Sequence, residues 1–188
     1  MTITIRPLLQ FDPASFVALV GGYTTAERYR VEAREEDALT EFRLVLEPLP
    51  EPEPQLFQFT YHDDELAHYA VLAGGPLALG AYDGEMWVGV AVGERRDWNR
   101  TLWLHEFHVA AGHQRQGIGR RLMDALAERA RAAGLRALML ETQNTNVPAI
   151  RFYRRVGFTL DGLNVAYYTN DDLRPDRTVA LFMTRRLE

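Results

Sequence analysis

The segment Gln114-Arg-Gln-Gly-Ile-Gly119 lies between an apolar, strand-like run and an amphipathic helical one. Glycines at such a junction let a backbone approach a ligand closely, and the first turn of the helix that follows carries amide N–H groups with no intrahelical acceptor. Those donors and the positive helix end suit a phosphate or pyrophosphate. Arg115, Arg120 and Arg121 add positive charge beside them. A plain loop with a loose helix start accounts for the glycines equally well. A dinucleotide fingerprint needs a third glycine where Leu122 stands, and a P-loop needs a lysine the chain does not have.

A second constellation runs Asn146-Val-Pro-Ala-Ile-Arg-Phe-Tyr-Arg-Arg-Val-Gly-Phe158. It sets Tyr153 on a short helix just after a strand end, where a phenol reaches a cleft; the alternative is a half-buried tyrosine bonded to a backbone acceptor. Glu141 ends the preceding strand, and Glu106 and His105 stand on another. Strand alternation sends Glu106 and His108 to one face and His105 to the other, unless a bulge reverses the assignment. Each is a candidate base, and each is equally readable as a solvated strand end. His62, Asp63, Asp64 and His68 offer metal-ligand atoms, but histidines six apart share a helix face poorly, so no metal site is expected. Trp98 and Trp103 read as a turn cover and a sheet residue.

These residues need elements to hold them. Thr2 to Leu8 alternates as a strand. Residues 13–46 read as helical, with Glu32, Glu35, Glu36, Asp37 and Glu41 interleaved with arginine. Glu47-Pro-Leu-Pro-Glu-Pro-Glu-Pro54 reads as an extended connector. Residues 62–73 form a further short helix. Leu77–Tyr82 and Met86–Gly93 are strands joined at Asp83-Gly84, and Asp97-Trp-Asn99 turns into a strand over Thr101–Val109. Gly117–Ala133 is a helix with Ile118, Leu122, Leu126 and Ala130 at helical spacing, stopped by Gly134. Ala137–Leu140 is a buried strand and Val147–Arg155 a helix with Pro148 in its first turn and Gly157 closing it. Leu163–Tyr168 and Val179–Thr184 are the last two strands. The order predicts an α/β (α+β) fold with a mixed, mostly antiparallel sheet and helices on both faces.

The chain has 188 residues, 47% apolar and 25% charged, enough for a single domain over 1–188: an N-terminal part (1–54) and a core over 77–188. All 21 basic residues are arginine, and cysteine is absent. Thiol nucleophiles, cysteine zinc sites, disulfides and lysine Schiff bases are therefore excluded. A net charge of −5 disfavours nucleic-acid and anionic-membrane partners and favours cationic ones. Apolar runs fall far short of the roughly 20 residues a membrane helix needs, so a cytoplasmic protein is the default expectation. A homodimer is left open.

Phe107-x-Val109, Gln114-x-x-Gly117-x-Gly119 and Asn146-x-x-Ala149-x-x-Phe152-Tyr153-x-x-x-Gly157-Phe158 together resemble the acetyl-CoA core of the GNAT N-acetyltransferases. Leu138-Met-Leu-Glu-Thr-Gln143, Tyr167-Tyr-Thr-Asn170 and the apolar run Val179–Met183 resemble the streptothricin acetyltransferases within it. The resemblance runs from about Leu77 to the C-terminus. It implies acetyl-CoA as co-substrate, no metal, and a sheet splayed at the coenzyme. Phe107, His108 and Val109 would meet the pantetheine arm, with a backbone amide polarising the thioester carbonyl. Gln114, Arg115, Gln116, Gly117, Ile118, Gly119 and Arg120 would cradle the pyrophosphate. Asn146 would touch the pantetheine side, a role compatible with capping the helix. Tyr153 matches the family tyrosine near the coenzyme sulfur. Related N-terminal acetylating enzymes place a glutamate twelve residues earlier, where Glu141 stands, and others place a base on the strand of Glu106 and His105.

An amine of pKa about 10 costs roughly 4 kcal/mol to deprotonate at pH 7, so a base helps. A thiolate leaving group benefits from a proton donor such as Tyr153. Without cysteine, direct attack in a ternary complex is expected. A small cationic amine is the leading acceptor, with a protein N-terminus or lysine, or a non-catalytic acyl-CoA sensor, as alternatives.

Overall fold

The computed structural model describes residues 2–55 and 61–187. In chain order the elements are β1 (Ile3–Pro7), α1 (Pro13–Leu19), β2 (Tyr23–Glu36), β3 (Leu39–Gln55), α2 (Asp63–Ala73), β4 (Ala78–Asp83), β5 (Met86–Arg96), β6 (Thr101–Val109), a 3-10 turn (Ala111–His113), α3 (Ile118–Ala132), β7 (Ala137–Gln143), α4 (Val147–Arg155), β8 (Thr159–Asn164) and β9 (Ala180–Arg186). Seven strands form one sheet in the order β1-β4-β5-β6-β7-β9-β8, and β2 and β3 form a separate hairpin. The β6–β7 pair is parallel, whereas β1–β4, β4–β5, β5–β6 and β8–β9 are antiparallel. This is the mixed, mostly antiparallel sheet the sequence predicts. Among the described residues, no helix is long and apolar enough to cross a membrane.

The chain resolves into two compact units. The first holds the described residues up to Gly22, Tyr61–Leu140 and those from Arg185 on. Its α3 sets Ile118 against Ala81 and Val88. Phe16 and Leu19 of α1 and Tyr69 and Ala73 of α2 pack instead on Ala78, Val90 and Val92. Ala78 and Ala81 lie three apart on one strand and so point to opposite faces, which places helices on both. Val88 would share a face with Val90 and Val92 by alternation alone. A register shift, from Ala81↔Gly89 to Tyr82↔Trp87, leaves Val88 as the extra residue and turns it to the α3 side. The β4–β5 hairpin closes in two residues with Gly84 at φ 59°, a left-handed conformation that costs glycine little.

The second unit holds Tyr23–Gln55 and Glu141–Thr184. Here the structure corrects the helical reading of residues 13–46. Only Pro13–Leu19, in the first unit, is helical, with Asp12 accepting from the Ser15 amide at 2.8 Å as its N-cap. The remainder is a hairpin paired from Tyr23↔Gln55 to Glu36↔Leu39. Arg28, Arg30, Glu32, Arg34 and Glu36 alternate with Tyr29, Val31, Ala33 and Glu35 at period two, and the charged side chains neutralise one another on one face. Arg28 and Arg30 both reach Glu47, at 2.8 and 2.9 Å, while Arg30 also pairs with Glu32 and Arg34 with Glu36. The proline-rich stretch is part of β3 rather than a connector. Pro50 and Pro52 fall in the irregular stretch between the pairs Glu27↔Pro48 and Thr25↔Glu53, where no ladder donor is missed.

The strand expected over Leu163–Tyr168 is also displaced: β8 is Thr159–Asn164. The backbone amides of Tyr167, Tyr168 and Thr169 are taken by the carboxylate of Asp172, so they form a turn instead of a ladder.

Gly93 lies beside a second register shift, and a Cβ there would meet Leu102 Cδ2 at 2.7 Å and its Cγ at 2.9 Å, with Leu102 fully buried. Gly93→Ala therefore overpacks this strand pair. We expect a loss of about 1–3 kcal/mol in urea unfolding, with the m-value unchanged.

Candidate active site

In the first unit the parallel β6–β7 pairs run from Thr101↔Ala137 to Leu104↔Leu140. β6 continues to Val109 while still paired to β5, as in Phe107↔Ala91 and Val109↔Gly89.

The chain then turns through Ala111–His113 into the glycine segment. Arg115 at φ 60° and Gly117 at φ 80° both adopt left-handed backbone, and Gly117 caps α3. The first backbone bond of the helix is Arg121 N–H to Gly117 O, 3.1 Å, so the amides of Ile118, Gly119 and Arg120 precede the intrahelical ladder. Gln114 Nε2 donates to Val109 O at 3.0 Å and Gln116 Nε2 to Gly112 O at 3.2 Å, tying the loop to the end of β6. A Cβ on Gly117 would meet nothing within 4 Å. The loop therefore leaves open space beside Gly117. Arg121 is not part of it, since its guanidinium donates to Ile3 O at 2.8 Å.

The register of β5 on β6 passes from Val92↔Glu106 to Gly93↔Leu104, so His105 is a bulge. Of the two geometries the sequence allowed, the bulge decides. Both His105 and Glu106 reach Tyr69 of α2, the histidine ring at 5.8 Å and the carboxylate through a hydrogen bond. Glu106 is buried and also receives Tyr61 Oη at 3.3 Å and His108 Nε2 at 2.7 Å. Burial and the charge of Glu106 push both phenols well above the usual tyrosine range, so they remain donors. His105 bonds Glu94 at 2.9 Å, which with Arg96 at 3.0 Å holds that carboxyl below its ordinary value.

The metal-ligand quartet read from His62, Asp63, Asp64 and His68 is not assembled. His62 and Glu65 form a capping box, and Asp63 and Asp64 occupy the first turn of α2. His68 faces His105 edge to face at 5.4 Å, and His68, Glu94 and His105 set ligand-capable atoms within 4.8 Å of one another. The Arg96 guanidinium on Glu94 already supplies the positive charge there.

In the second unit, Asn146 caps α4, its Oδ1 accepting from Ala149 N–H at 3.2 Å with Pro148 in the first turn. Tyr153 lies on the inner face of α4, 9% exposed, between Phe152 and Phe158 with both ring centroids at 5.5 Å. Glu141 is largely withdrawn from water, and this burial raises its carboxyl above the usual range while a bond from Tyr168 Oη partly offsets the rise.

Tyr61, Tyr69, Asn144, Tyr168 and Asp172 carry much of this arrangement, and sequence reasoning assigned them no role. Tyr168 was visible inside a motif. Asn144 and Asp172 look like ordinary loop residues until their partners are known.

A model of the acetyltransferase (GNAT) family matches residues 35–158. The chain belongs to that family. It is 45% identical over 92 residues to a streptothricin acetyltransferase of Streptomyces lavendulae, a match covering 49% of this chain and 48% of that protein. Streptothricin acetyltransferase A of Bacillus subtilis is 28% identical over 110 residues, 58% of this chain and 63% of that one. The chain thus spans between about half and just under two thirds of the length of these two relatives. Among solved structures, a nourseothricin acetyltransferase is 31% identical with a TM-score of 0.76 over the whole of both chains. A Bacillus anthracis protein described as a putative streptothricin acetyltransferase in complex with acetyl coenzyme A superposes with a TM-score of 0.74 at 20% identity over the full length of both, a likeness of fold.

Asn146 tests how far its family position is structural. Asn146→Ala should cost about 1 kcal/mol in chemical denaturation by removing the cap, and Asn146→Asp should retain most of the stability.

Proposed function

We propose that this chain transfers an acetyl group from acetyl-CoA to a primary amine of a small cationic compound, a streptothricin-like antibiotic or a polyamine, by direct attack in a ternary complex. The observation that carries the reading is the left-handed turn at Arg115 and Gly117. It opens α3 directly after β6, a shape suited to a pyrophosphate at the helix start and a pantetheine arm along the strand. The names of the streptothricin and nourseothricin enzymes it resembles support the acceptor class.

In this reading Glu141 takes a proton from the acceptor ammonium. The freed nitrogen lone pair attacks the thioester carbon, the C–S bond breaks, and Tyr153 Oη gives its proton to the departing thiolate. The second proton that the nitrogen loses as the amide forms returns to the tyrosinate, while Glu141 releases its proton to solvent. Glu141 suits the base role better than Glu106. Burial moves its carboxyl toward the range a base needs near neutrality, whereas Glu106 is engaged by Tyr61, Tyr69 and His108. His105 is committed to Glu94. Glu106 and its ring of donors form a buried hydrogen-bonded cluster instead.

The acceptor charge fits an asymmetry of the chain. The hairpin Tyr23–Gln55 contains nine carboxylates and four arginines, so the whole net charge of −5 resides there and the rest of the chain is balanced. The acidic residues expected on helices stand on a hairpin, but the excess is real. A protein N-terminal amine is the second reading. It is favoured by 33% identity over 76 residues, 40% of this chain and 51% of that one, to the [ribosomal protein bS18]-alanine N-acetyltransferase of Escherichia coli. Thiol release from acetyl-CoA with streptothricin, spermidine and an alanine-leading peptide as acceptors separates the two.

Gly117→Val should abolish acetyl-CoA binding in calorimetric titration, because the side chain fills the open side of the cradle. The left-handed φ adds about 1–2 kcal/mol of strain. Gly117→Ala carries the same strain with less bulk and should bind weakly, so wild-type affinity in both folded variants would refute the site. Tyr153→Phe keeps the ring and should lower kcat roughly 10²-fold with acetyl-CoA affinity intact. A kcat within about twofold of wild type, with chemistry rate-limiting, would make the tyrosine structural.

A further inference from the structure

Tyr167-Tyr-Thr-Asn170 takes no part in the chemistry above, yet the second unit builds a dedicated support for it. Asp172 is 1% exposed and spends both oxygens on this turn. Its Oδ2 accepts from the amides of Tyr167 and Tyr168 at 2.9 Å each. Its Oδ1 accepts from the Thr169 amide at 2.8 Å and the Thr169 hydroxyl at 2.6 Å. Three consecutive amides held by one carboxylate leave the backbone at Tyr168 little freedom. The Tyr167 ring braces the turn edge to face against Tyr168 at 5.2 Å and Phe182 at 5.7 Å.

The phenol placed in this way meets β7. Glu141 and Gln143 are two apart on that strand and share a face. Gln143 Nε2 donates to Tyr168 Oη at 3.2 Å, and Tyr168 Oη donates to Glu141 Oε1. An amide donor on the phenol oxygen directs its hydrogen onto the carboxylate, and successive donors polarise one another. With Oε1 engaged, Oε2 is the oxygen left to accept a proton.

We propose that Tyr168 is a positioning residue for acetyl transfer: its hydroxyl orients the Glu141 carboxylate toward the acceptor amine, and Asp172 fixes Tyr168 for that task. The proposal rests on Glu141 being the base. The transferred proton moves from the acceptor ammonium to Glu141 Oε2, and Tyr168 keeps its own proton throughout. The titratable groups whose charge couples to Glu141 in this unit are Tyr168 and Tyr167. Burial and the charge of Glu141 push both above the ordinary phenol range. Both phenols therefore keep their protons while the Glu141 carboxyl titrates.

The sign of the effect follows. The phenol bond stabilises the charged carboxylate against its burial, so removing the hydroxyl moves the carboxyl further up. The test is the pH profile of kcat/KM for the full-length protein with acetyl-CoA and the best acceptor of the amine screen. Tyr168→Phe should shift the acid limb up by about one pH unit and also lower the plateau above it, because the carboxylate is no longer oriented. Glu141→Gln should lose the limb. Asp172→Asn, with Tyr168 intact, should shift the limb in the same direction. Should Asp172→Asn fail to fold, a ¹³C NMR titration of the Glu141 carboxyl in folded Tyr168→Phe gives the same readout. An unmoved limb in Tyr168→Phe, with activity reduced by a constant factor at every pH or with only the acceptor KM raised, overturns the proposal and leaves the base assignment standing. A wild-type limb in Glu141→Gln overturns the base assignment and the positioning role with it.

Discussion

Asn144 is the constraint on which the second unit turns. Its backbone N–H donates to Val179 O at 3.0 Å and its Oδ1 accepts from Val179 N–H at 2.9 Å. Its backbone carbonyl accepts from Tyr29 N–H at 2.9 Å, and its Nδ2 donates to Tyr29 O at 2.8 Å. One buried side chain thus completes two backbone pairings, one with the hairpin and one with the residue before β9. No apolar residue could replace it without leaving backbone groups of both segments unpaired, a penalty of about 1–3 kcal/mol each. Neighbouring contacts reinforce this junction. Tyr23 Oη shares a hydrogen bond with Thr145 Oγ1 at 2.9 Å, Arg154 donates to Tyr29 Oη at 2.7 Å, and Arg151 pairs with Glu27 at 2.6 Å. The same turn leads into the Asn146 cap and so into the helix that carries Tyr153. The position of a candidate proton donor is therefore coupled through consecutive residues to a hairpin some 120 positions earlier in the chain.

In the first unit the comparable devices are single inserted residues. The bulge at Val88 gives α3 an apolar contact that strict alternation would have given to the other face. The bulge at His105 brings two polar side chains toward one helix, so that Tyr69 meets both the His105 ring and a buried carboxylate. Both are local changes of one residue, and each resets which face every later side chain on its strand presents.

The parts legible in the sequence were those whose signal is local. Ile118, Leu122, Leu126 and Ala130 mark the inner face of α3, and Gly117 and Gly134 its ends, because helix periodicity and glycine backbone preferences need no distant partner. Asp83-Gly84 and the Pro148–Gly157 bracket are legible for the same reason. The hairpin was misread because arginines and carboxylates spaced two apart also produce pairs at three and four, which imitates a solvated helix face. Only the apolar and aromatic alternation at Tyr29, Val31 and Ala33 distinguishes the two, and it is weak. Within the candidate site, the glycines, Tyr153, the two glutamates and His105 were recognisable by type. Their ranking was not, since it rests on what surrounds each carboxylate: three donors at Glu106, and burial with a single phenol at Glu141.

That contrast also explains how two buried carboxylates in one chain can be suited to different tasks. A carboxylate gains basicity when burial penalises its charge, and loses it as donors accumulate to repay the penalty. Glu106 is held by two phenols and an imidazole, which fix its position. Glu141 is repaid by one phenol whose own position depends on Asp172, a carboxylate saturated by three amides and a hydroxyl. The acidity of the second site is thus set by a chain of three groups, Asp172 to Tyr168 to Glu141. Each link is a hydrogen bond that leaves a carboxylate charged, and the last leaves Glu141 with one oxygen still free to accept a proton.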